Sequence, residues 1–505
     1  MGKTNTVSTS FKEIIMNKSV LIVGTGLGGL STGLRLASRG YQVSFVEKNS
    51  QPGGRLNRIE KEGFKFDLGP SFFSMPYEFE ELVEDCHIQM PFDFVEIDPL
   101  YVVHFRGSNK KFALYKDLDR LSSQFEDIEP DFKRKFSNYL KKCEALYNDT
   151  VDIAIKRNFN SIADYLAALS TINPKHLPIL LKSFWDQTGS YFESEQVREI
   201  VSLIAFFLGR TPFDTNAVYT LLSHIEFKHT GYYNVQGGMY TIVESLVNEL
   251  KKLNAQFYFD TEIVDFKGGQ NTLLHLTDQH QKPWKADIYV INSDAAFFRG
   301  AVFGRKKYAD HRLQKLNWTM GYLTFYVGVK GKLPQVEHHN YFLGNNYRQY
   351  ARNVMRDPGT MEKPYYYVNV VSRNNPNCAP DNCESLFFVC PVPNLLHKPD
   401  WSNKQAIIDS IIEDFSLRIH QDISKDIVVQ IAFTPEDWQN QFNLYKGAGL
   451  GLSHHMLQIG AFRPSNRDEK FKNTFYVGAS TVPGAGLPMA VISSKLVTER
   501  ILQLK

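Results

Sequence analysis

Near the N-terminus, four glycines have the type and spacing of a loop that binds a pyrophosphate. Gly24, Gly26 and Gly29 fit the pattern G-x-G-x-x-G, and Gly28 lies within it. Gly24 allows a tight turn, Gly26 lets an anion approach backbone N–H groups, and Gly29 lets a helix pack closely on a strand. Glu47 follows about twenty residues later, where its carboxylate can accept a hydrogen bond from a ribose hydroxyl. Together these residues predict a dinucleotide site.

Such a site requires a strand, a helix and a second strand, and the flanking sequence has all three patterns. Ser19–Val23 is a short apolar run typical of a buried strand. A helix is predicted to follow the glycines and to end near Gly40, and Tyr41–Val46 alternates as a second strand that leads into Glu47. The glycine pattern alone is weak evidence, but in register with these elements it predicts a Rossmann-like βαβ unit.

The residues after this unit narrow the choice of cofactor among the dinucleotides. Gln51–Arg55 places Gly53, Gly54 and a cation just after the ribose acid, and Arg55 can neutralise a pyrophosphate. The segment resembles the FAD-binding entry of the flavin amine oxidase and carotenoid desaturase superfamily, in which such an arginine follows the acid. The resemblance implies that the cofactor is FAD.

A second motif points to the same family. Gly63–Ser71 is similar to the G-F-x-F-D-x-G-P-S of bacterial-type carotenoid desaturases, in which this segment passes near the flavin. The pattern also fits a hairpin of Asn57–Glu60 and Phe64–Asp67 with a tight exit turn. The two interpretations are compatible.

The C-terminal motif is a strand, a Gly/Pro loop and a helix predicted from Met489 to Leu502. Free N–H groups at this helix start would stabilise the negative charge of a reduced flavin. The run from Phe475 to Ala490 is similar to the V-G-A-G-T-H-P-G-A-G-I-P-G of phytoene desaturases. It departs from that motif at three positions: Ser480, Val482 and Met489. These departures bear on the substrate rather than on the flavin.

The resemblance also assigns residues between these motifs. A turn at Tyr232–Met239 and a helix at Thr241–Leu253 are expected to return the chain to the flavin domain, and the backbone of Val264 is expected to meet the adenine. The complete set of FAD-binding residues predicted here is Gly24, Gly26, Gly28, Gly29, Glu47, Lys48, Gly54, Arg55, Gly69, Pro70, Ser71, Val264, Gly478, Ala479, Leu487, Pro488 and Met489.

Length and composition set the broad class of the protein. The 505 residues allow two to four domains, and the net charge of +3 does not favour nucleic acid as a partner. The five cysteines include no C-x-x-C pair, which indicates free thiols in a reducing compartment. No uncharged run reaches the roughly 18 residues of a membrane span, and residues 1–17 are interpreted as a polar extension.

The predicted fold is α/β: a Rossmann-like FAD-binding domain of the flavin amine oxidase type, a mixed β-sheet substrate domain and a helical insertion. Residues 18–75, 233–296 and 446–505 are expected to form the FAD-binding domain. Residues 76–232 are assigned to a largely helical insertion that contacts substrate and membrane, and residues 297–445 to the substrate domain.

Within these regions several elements are predicted. The insertion is expected to contain helices over Asp131–Ile155, Ser161–Leu169 and Leu177–Trp185. The stretch between Ser372 and Cys383 is rich in turn residues and predicts a surface loop. His338 and His339 are adjacent in the sequence, so on an extended chain their side chains point to opposite faces, which disfavours a shared metal ion.

The resemblance spans Ser19 to Leu502 and implies an FAD enzyme that desaturates a C40 polyene. A hydride would leave an allylic CH₂ for the flavin and a proton would leave the neighbouring carbon. No catalytic residue is assigned; the candidates for the proton acceptor, by residue type and region only, are Glu226, His224, Asp186 and His338.

The best-supported branch is 3,4-desaturation of a 1′-hydroxycarotenoid, and a multi-step phytoene desaturase is the alternative within the family. A flavin amine oxidase and a non-enzymatic prenyl-binding protein remain open from other classes. The expected partners are a carotenoid from the membrane, the lipid bilayer, contacted peripherally through the Leu177–Leu208 surface, and oxygen or a quinone as electron acceptor. The expected location is the cytoplasm, on the inner face of the cytoplasmic membrane.

Overall fold

The computed structural model describes residues 18–504, so the extension of residues 1–17 lies outside the described residues. The strands alternate with helices along much of the chain. Their bounds are β1 (Ser19–Val23), β2 (Gln42–Val46), β3 (Asn57–Lys61), β4 (Phe64–Gly69), β5 (Phe94–Glu96), β6 (Tyr101–Phe105), β7 (Lys111–Leu114), β8 (Tyr233–Val235), β9 (Gln256–Tyr258), β10 (Ile263–Gly268), β11 (Leu273–Asp278), β12 (Pro283–Trp284), β13 (Ile288–Ile291), β14 (Gly321–Lys330), β15 (His339–Leu343), β16 (Tyr366–Val370), β17 (Cys383–Val392), β18 (Ile427–Phe433) and β19 (Thr474–Tyr476).

Seven of the fourteen α-helices in residues 18–504 lie between Leu118 and Lys252. Their bounds are α1 (Leu27–Ala37), α2 (Pro76–Asp85), α3 (Leu118–Ser123), α4 (Phe132–Thr150), α5 (Ile162–Leu169), α6 (Phe184–Thr188), α7 (Glu195–Val201), α8 (Leu221–His224), α9 (Thr241–Lys252), α10 (Asp310–Leu313), α11 (Tyr347–Asn353), α12 (Lys404–Ile419), α13 (Pro435–Phe442) and α14 (Leu487–Leu502). Short 3₁₀ and π turns, such as Pro174–Leu181 and Leu203–Leu208, connect them.

The first sheet is parallel and has the strand order β19-β13-β1-β2-β9. Strand β1 lies at its centre and is covered on both faces, which explains its continuous apolar sequence. Helix α1 packs against α14, so the first and last helices of residues 18–504 meet. Because the strands are parallel, the loops after β1, β13 and β19 all leave from the carboxyl ends of their strands. Ligands of α/β sheets bind at this end.

The second sheet has seven strands in the order β18-β14-β17-β16-β15-β6-β7. Its pairs are antiparallel except for β6 with β15, which are parallel. Strands β6 and β7 come from residues 76–232, the stretch interpreted as a mainly helical insertion. The start of that stretch therefore completes the substrate sheet.

The helix predicted over Leu177–Trp185 is wrong. Pro174–Leu181 forms a 3₁₀ turn, and a separate α-helix begins at Phe184. Pro178 interrupts the first segment because proline cannot donate a helical hydrogen bond. Ser183 and Asp186 then form a capping box that starts the second segment.

The turn-rich stretch between Ser372 and Cys383 is only partly a surface loop. Asn375 and Cys378 are buried. Asn375 Oδ1 accepts a hydrogen bond from Gly237 N at 2.9 Å, and its Nδ2 donates to Asn234 Oδ1 at 2.7 Å. These hydrogen bonds hold the stretch against the turn before α9 and fix that turn.

No helix within residues 18–504 is both long enough and apolar enough to span a bilayer.

Candidate functional site

A single cavity joins the two sheets. Its volume is about 460 Å³, within the range of clefts that bind small ligands. The loops that follow β1, β2, β9, β13 and β19 line one half. The seven-stranded sheet, the Leu203–Leu208 turn and α11 line most of the other. We call these the glycine half and the aromatic half.

The glycine loop after β1 has the geometry that an anion needs. Gly24 has a φ of +92°, which favours glycine, and Gly26 is the N-cap of α1. No side chain caps α1, and no acidic residue lies in its first turn. Gly24, Gly26 and Gly28 line the cavity. The free N–H groups of this helix start can therefore bind a phosphate.

Gly29 lies behind this lining. A Cβ atom built on it would be 2.4 Å from the carbonyl oxygen of Gly24. The residue thus allows α1 to approach the end of β1. Asn292, at the end of β13, holds the same turn, because its Nδ2 donates to Gly24 O at 3.3 Å and to Gly26 O at 3.1 Å. The sequence showed that β13 leads to the cofactor edge, but not this role of Asn292.

Glu47 is buried in the glycine half. Its Oε2 accepts hydrogen bonds from Thr25 N and Oγ1 at 2.8 and 2.7 Å, and its Oε1 accepts from Asn49 N and Nδ2 at 3.0 and 3.1 Å. These four donors match the acceptor capacity of a carboxylate. A ribose hydroxyl would therefore replace the side-chain amide of Asn49, which can rotate away. Lys48 also lines the cavity, but its Nζ donates to Asn440 O and Asn443 Oδ1, both at 2.9 Å, on the end of α13.

Arg55 and Asp294 are two opposite charges that line the cavity. Arg55 Nη1 donates to Gly449 O at 2.7 Å. Burial lowers the pKa of Arg55, and the negative charge of Asp294 opposes that shift. Burial likewise raises the pKa of Asp294, although Phe297 N and Ser480 Oγ donate hydrogen bonds to it and lower it. A free positive charge at Arg55 suits a bound pyrophosphate.

The C-terminal loop brings a second helix start to the cavity. Helix α14 begins at Leu487, two residues before the predicted Met489. Its N-cap is Gly486, and neither a side-chain cap nor an acidic residue is present in the first turn. Gly478, Ala479 and Leu487 line the cavity. Its free N–H groups can stabilise negative charge on a flavin.

The remaining predicted residues are divided between the lining and its surroundings. Gly54 and the turn Gly69-Pro70-Ser71 line the cavity, whereas Val264 is exposed and its neighbour Ile263 lines the cavity instead. Pro488 and Met489 are outside the lining. Helix α13 and the turn after it also contribute to the lining, which the sequence did not indicate because their aromatic, amide and leucine side chains form no local motif.

These features fit FAD. Two uncapped helix starts open into one cavity, and glycines stand where a Cβ atom would collide with the turn at Asn292. Glu47 and Arg55 would hold the ribose and the pyrophosphate. When bound, FAD supplies the oxidant that accepts two electrons from the substrate.

The aromatic half is apolar. Every charged side chain in the lining of the described residues lies in the glycine half, namely Glu47, Lys48, Arg55, Glu262 and Asp294. The side chains of the aromatic half include Phe72, Phe206, Phe207, Tyr341, Tyr347, Tyr350 and Tyr365. Such a surface excludes water and suits a long apolar ligand.

The four candidates for a proton acceptor lie outside the lining, as far as residues 18–504 are concerned. Asp186 belongs to the capping box of α6. His224 packs against Tyr147, and His338 is buried. Glu226 is buried behind the aromatic half, where Tyr232 Oη donates to its Oε1 at 3.1 Å. No candidate therefore contacts a ligand in the cavity directly.

Glu226 nevertheless has a measurable consequence for stability. Burial raises the pKa of Glu226 to about 8, so the folded protein keeps this carboxyl neutral at pH 7. The unfolded chain releases the proton near pH 4.3. Between these values the folded state binds more protons, so the free energy of unfolding decreases as pH rises. This decrease in the free energy of unfolding is about 3–5 kcal/mol. Glu226→Gln should not show it, so the variant should be more stable than the wild type at pH 9.

Thermal unfolding from pH 5 to pH 9 measures this effect. The matched control is Glu80→Gln, because Glu80 is an exposed glutamate on α2. The control should keep the wild-type pH dependence. An unchanged pH dependence in Glu226→Gln would show that this carboxyl is not neutral in the folded protein.

Comparison with known proteins identifies the family. The model of the flavin containing amine oxidoreductases matches residues 27–502. A phytoene desaturase of Fusarium fujikuroi is 31% identical over 97% of this chain and 90% of its own length. A carotenoid 3,4-desaturase of Haloarcula japonica is 28% identical over 97% of this chain and 99% of its own length.

A solved structure has the same fold. Wild-type putrescine oxidase bound to putrescine superposes with a TM-score of 0.64 at 12% identity, covering 97% of this chain and 99% of the oxidase. The predicted α/β fold of the flavin amine oxidase type and the predicted cofactor, FAD, are confirmed. The chain is an FAD-dependent oxidoreductase that belongs to the flavin-containing amine oxidoreductase family, within its carotenoid desaturases.

Proposed function

We propose that this protein introduces carbon–carbon double bonds into a C40 carotenoid, with FAD as the oxidant. The observation that carries the proposal is the continuity of the cavity: the glycine half opens directly into an aromatic half without charged side chains. A hydride and a proton are lost from neighbouring carbons of the polyene. The protein orients the polyene and excludes water from it, as this chemistry requires.

Within this function we propose 3,4-desaturation of a 1′-hydroxycarotenoid. Support comes from the departures at Val482 and Met489 from the phytoene desaturase motif and from the similarity to a carotenoid 3,4-desaturase. A multi-step phytoene desaturase is the alternative, and it is favoured by the similarity to a phytoene desaturase.

The test is an absorption experiment. Flavin-loaded protein is mixed anaerobically with liposomes that contain phytoene, lycopene or a 1′-hydroxycarotenoid, and the flavin and carotenoid bands are followed together. Bleaching of the flavin with a red shift of the hydroxycarotenoid supports the proposal. Turnover of phytoene alone would contradict the 3,4 assignment. Hydrogen peroxide release from amines, without any carotenoid turnover, would instead establish an amine oxidase. Addition of oxygen or a quinone to the bleached protein identifies the electron acceptor.

We also propose that the protein takes its substrate from a bilayer at the inner face of the cytoplasmic membrane. Support comes from exposed apolar side chains on two consecutive segments. Ile162 and Leu166 lie on α5, and Leu177, Leu180 and Leu181 lie on the 3₁₀ turn that follows it. Lys175 lies on the same turn; its Nζ is 2.9 Å from Asp149 Oδ2, and it is exposed enough to approach anionic lipid headgroups as well.

Charged substitutions on this surface should weaken membrane binding strongly. Each buried leucine contributes about 1.5–3 kcal/mol, so the double variant Leu177→Asp/Leu181→Asp should bind vesicles at least about a hundredfold more weakly. Vesicle flotation measures the bound fraction, with flavin content as a check on folding. Leu417→Asp is the matched control, because Leu417 is exposed on α12. Equal binding by the double variant would assign the membrane contact to another surface.

A further inference from the structure

We propose that Ser71, Tyr367 and His339 form a relay that accepts the proton lost from the substrate. The proposal rests on the desaturase function proposed above. It gives that function the proton acceptor that the four candidates named from the sequence do not provide.

The three side chains are connected from the cavity to the interior. Ser71 and Tyr367 line the cavity, and Ser71 Oγ lies 2.8 Å from Tyr367 Oη. Tyr367 Oη lies 2.6 Å from His339 Nδ1. His339 is buried behind them and stacks on Phe72, with ring centroids 4.0 Å apart. A proton can therefore move from the cavity to His339 along these two hydrogen bonds without a water molecule as carrier.

The hydrogen-bond donors around His339 set the direction of the relay. Asn369 Nδ2, which can only donate, lies 3.3 Å from His339 Nδ1 and also donates to His338 O at 2.9 Å. Nδ1 is therefore the unprotonated nitrogen of the ring. Tyr367 must donate its proton to Nδ1, and Ser71 donates to Tyr367 Oη. Both lone pairs of Ser71 Oγ then remain available to accept a proton from a ligand in the cavity.

The proton transfer then balances. After hydride loss to the oxidant, a C–H bond beside the cationic carbon breaks, and its electron pair becomes the new π bond. The proton forms an O–H bond at Ser71, whose own proton moves to Tyr367 while the proton of Tyr367 moves to His339 Nδ1. Ser71 and Tyr367 end unchanged, and His339 ends as an imidazolium. The proton returns to water when the product has left the cavity.

The surroundings make His339 a weak base. Burial and the neighbouring His338 lower the pKa of His339 well below its usual value. A weak base is sufficient here, because a proton next to an allylic cation is strongly acidic. The same low pKa lets the imidazolium release its proton after each turnover.

The test uses variants that break one link and keep the packing. Tyr367→Phe should lower kcat by about 10²–10⁴-fold, with KM and flavin content unchanged. Ser71→Ala should lower kcat to a similar extent when it is measured on protein saturated with FAD. Ser71→Thr keeps the hydroxyl and should retain more activity than Ser71→Ala. Tyr366→Phe is the control, because the hydroxyl of Tyr366 bonds to Asp414 rather than to the relay. The solvent isotope effect on kcat should be present in the wild type and absent in Tyr367→Phe.

A spectroscopic readout does not depend on turnover. With ¹⁵N-labelled histidine, the Nδ1 resonance of His339 should be that of an unprotonated nitrogen, and it should move in Tyr367→Phe but not in Tyr366→Phe. His339→Gln assigns the resonance. A protonated Nδ1, or an unchanged kcat in Tyr367→Phe when the wild type desaturates a carotenoid, would overturn the relay alone. No turnover of any carotenoid by the flavin-loaded wild type would overturn the proposed function and the relay with it.

Discussion

Gly29→Ala is expected to yield a protein that loses FAD and unfolds more easily by about 1–3 kcal/mol. The added Cβ atom would lie 2.4 Å from the carbonyl oxygen of Gly24 and 2.9 Å from Asn292 Nδ2. Neither neighbour can move freely, because Gly24 ends β1 and Asn292 ends β13. Helix α1 must therefore shift away from the sheet.

This shift acts on the cofactor through the helix start. The free N–H groups of α1 bind a pyrophosphate only while they stay at the cavity edge. We expect FAD binding to weaken at least a hundredfold, which corresponds to about 2.7 kcal/mol. The flavin absorbance of the purified protein and its denaturant unfolding measure the two effects separately.

The control for this prediction is Gly269→Ala. A Cβ atom at Gly269 would meet its nearest neighbour at 3.4 Å, an ordinary contact, and the residue lies away from the cavity. This variant should keep wild-type flavin content and stability. Full flavin content in Gly29→Ala would mean that α1 can move without loss of the site.

The glycine loop was predictable because its conformation is determined by residues close to it in the sequence. The conformation of Gly24, the approach allowed by Gly29 and the strand-helix-strand order all follow from short stretches of sequence. The start of α14 was predicted to within two residues for the same reason, since Gly486 and Pro488 mark it.

Contacts between distant segments could not be predicted in the same way. Strand β6 is paired with β15 through Val102 and Asn340, and no residue of either strand specifies that partner. The aromatic half has the same origin, because Phe72 and Tyr347 come from segments that meet only in the folded protein. Chemistry that depends on such meetings, including the contact of Ser71 with Tyr367, is invisible in the sequence.

Arg463 is the clearest residue of this second kind. It is buried, and its guanidinium donates to five carbonyl oxygens, those of Leu452, Ser453, Gln458, Ala479 and Thr481. Burial lowers the pKa of Arg463 to about 10, so the group remains charged at pH 7. Tyr219 and, to a smaller extent, the negative charge of Asp294 oppose this decrease in the pKa of Arg463. Arg463 thereby ties the segment before it to the loop that leads into α14.

Arg463→Met should destabilise the protein by about 4 kcal/mol, because four of these five carbonyls are left without a donor and only Ser453 O keeps one, Gln458 Nε2. Since Ala479 lines the cavity, FAD should also bind about tenfold more weakly. Denaturant unfolding and flavin titration measure the two effects. Arg467→Met is the control, because Arg467 is exposed and its side chain makes no hydrogen bond in the described structure. If Arg463→Met were as stable as Arg467→Met, water would have replaced the guanidinium, and the loop would not depend on it.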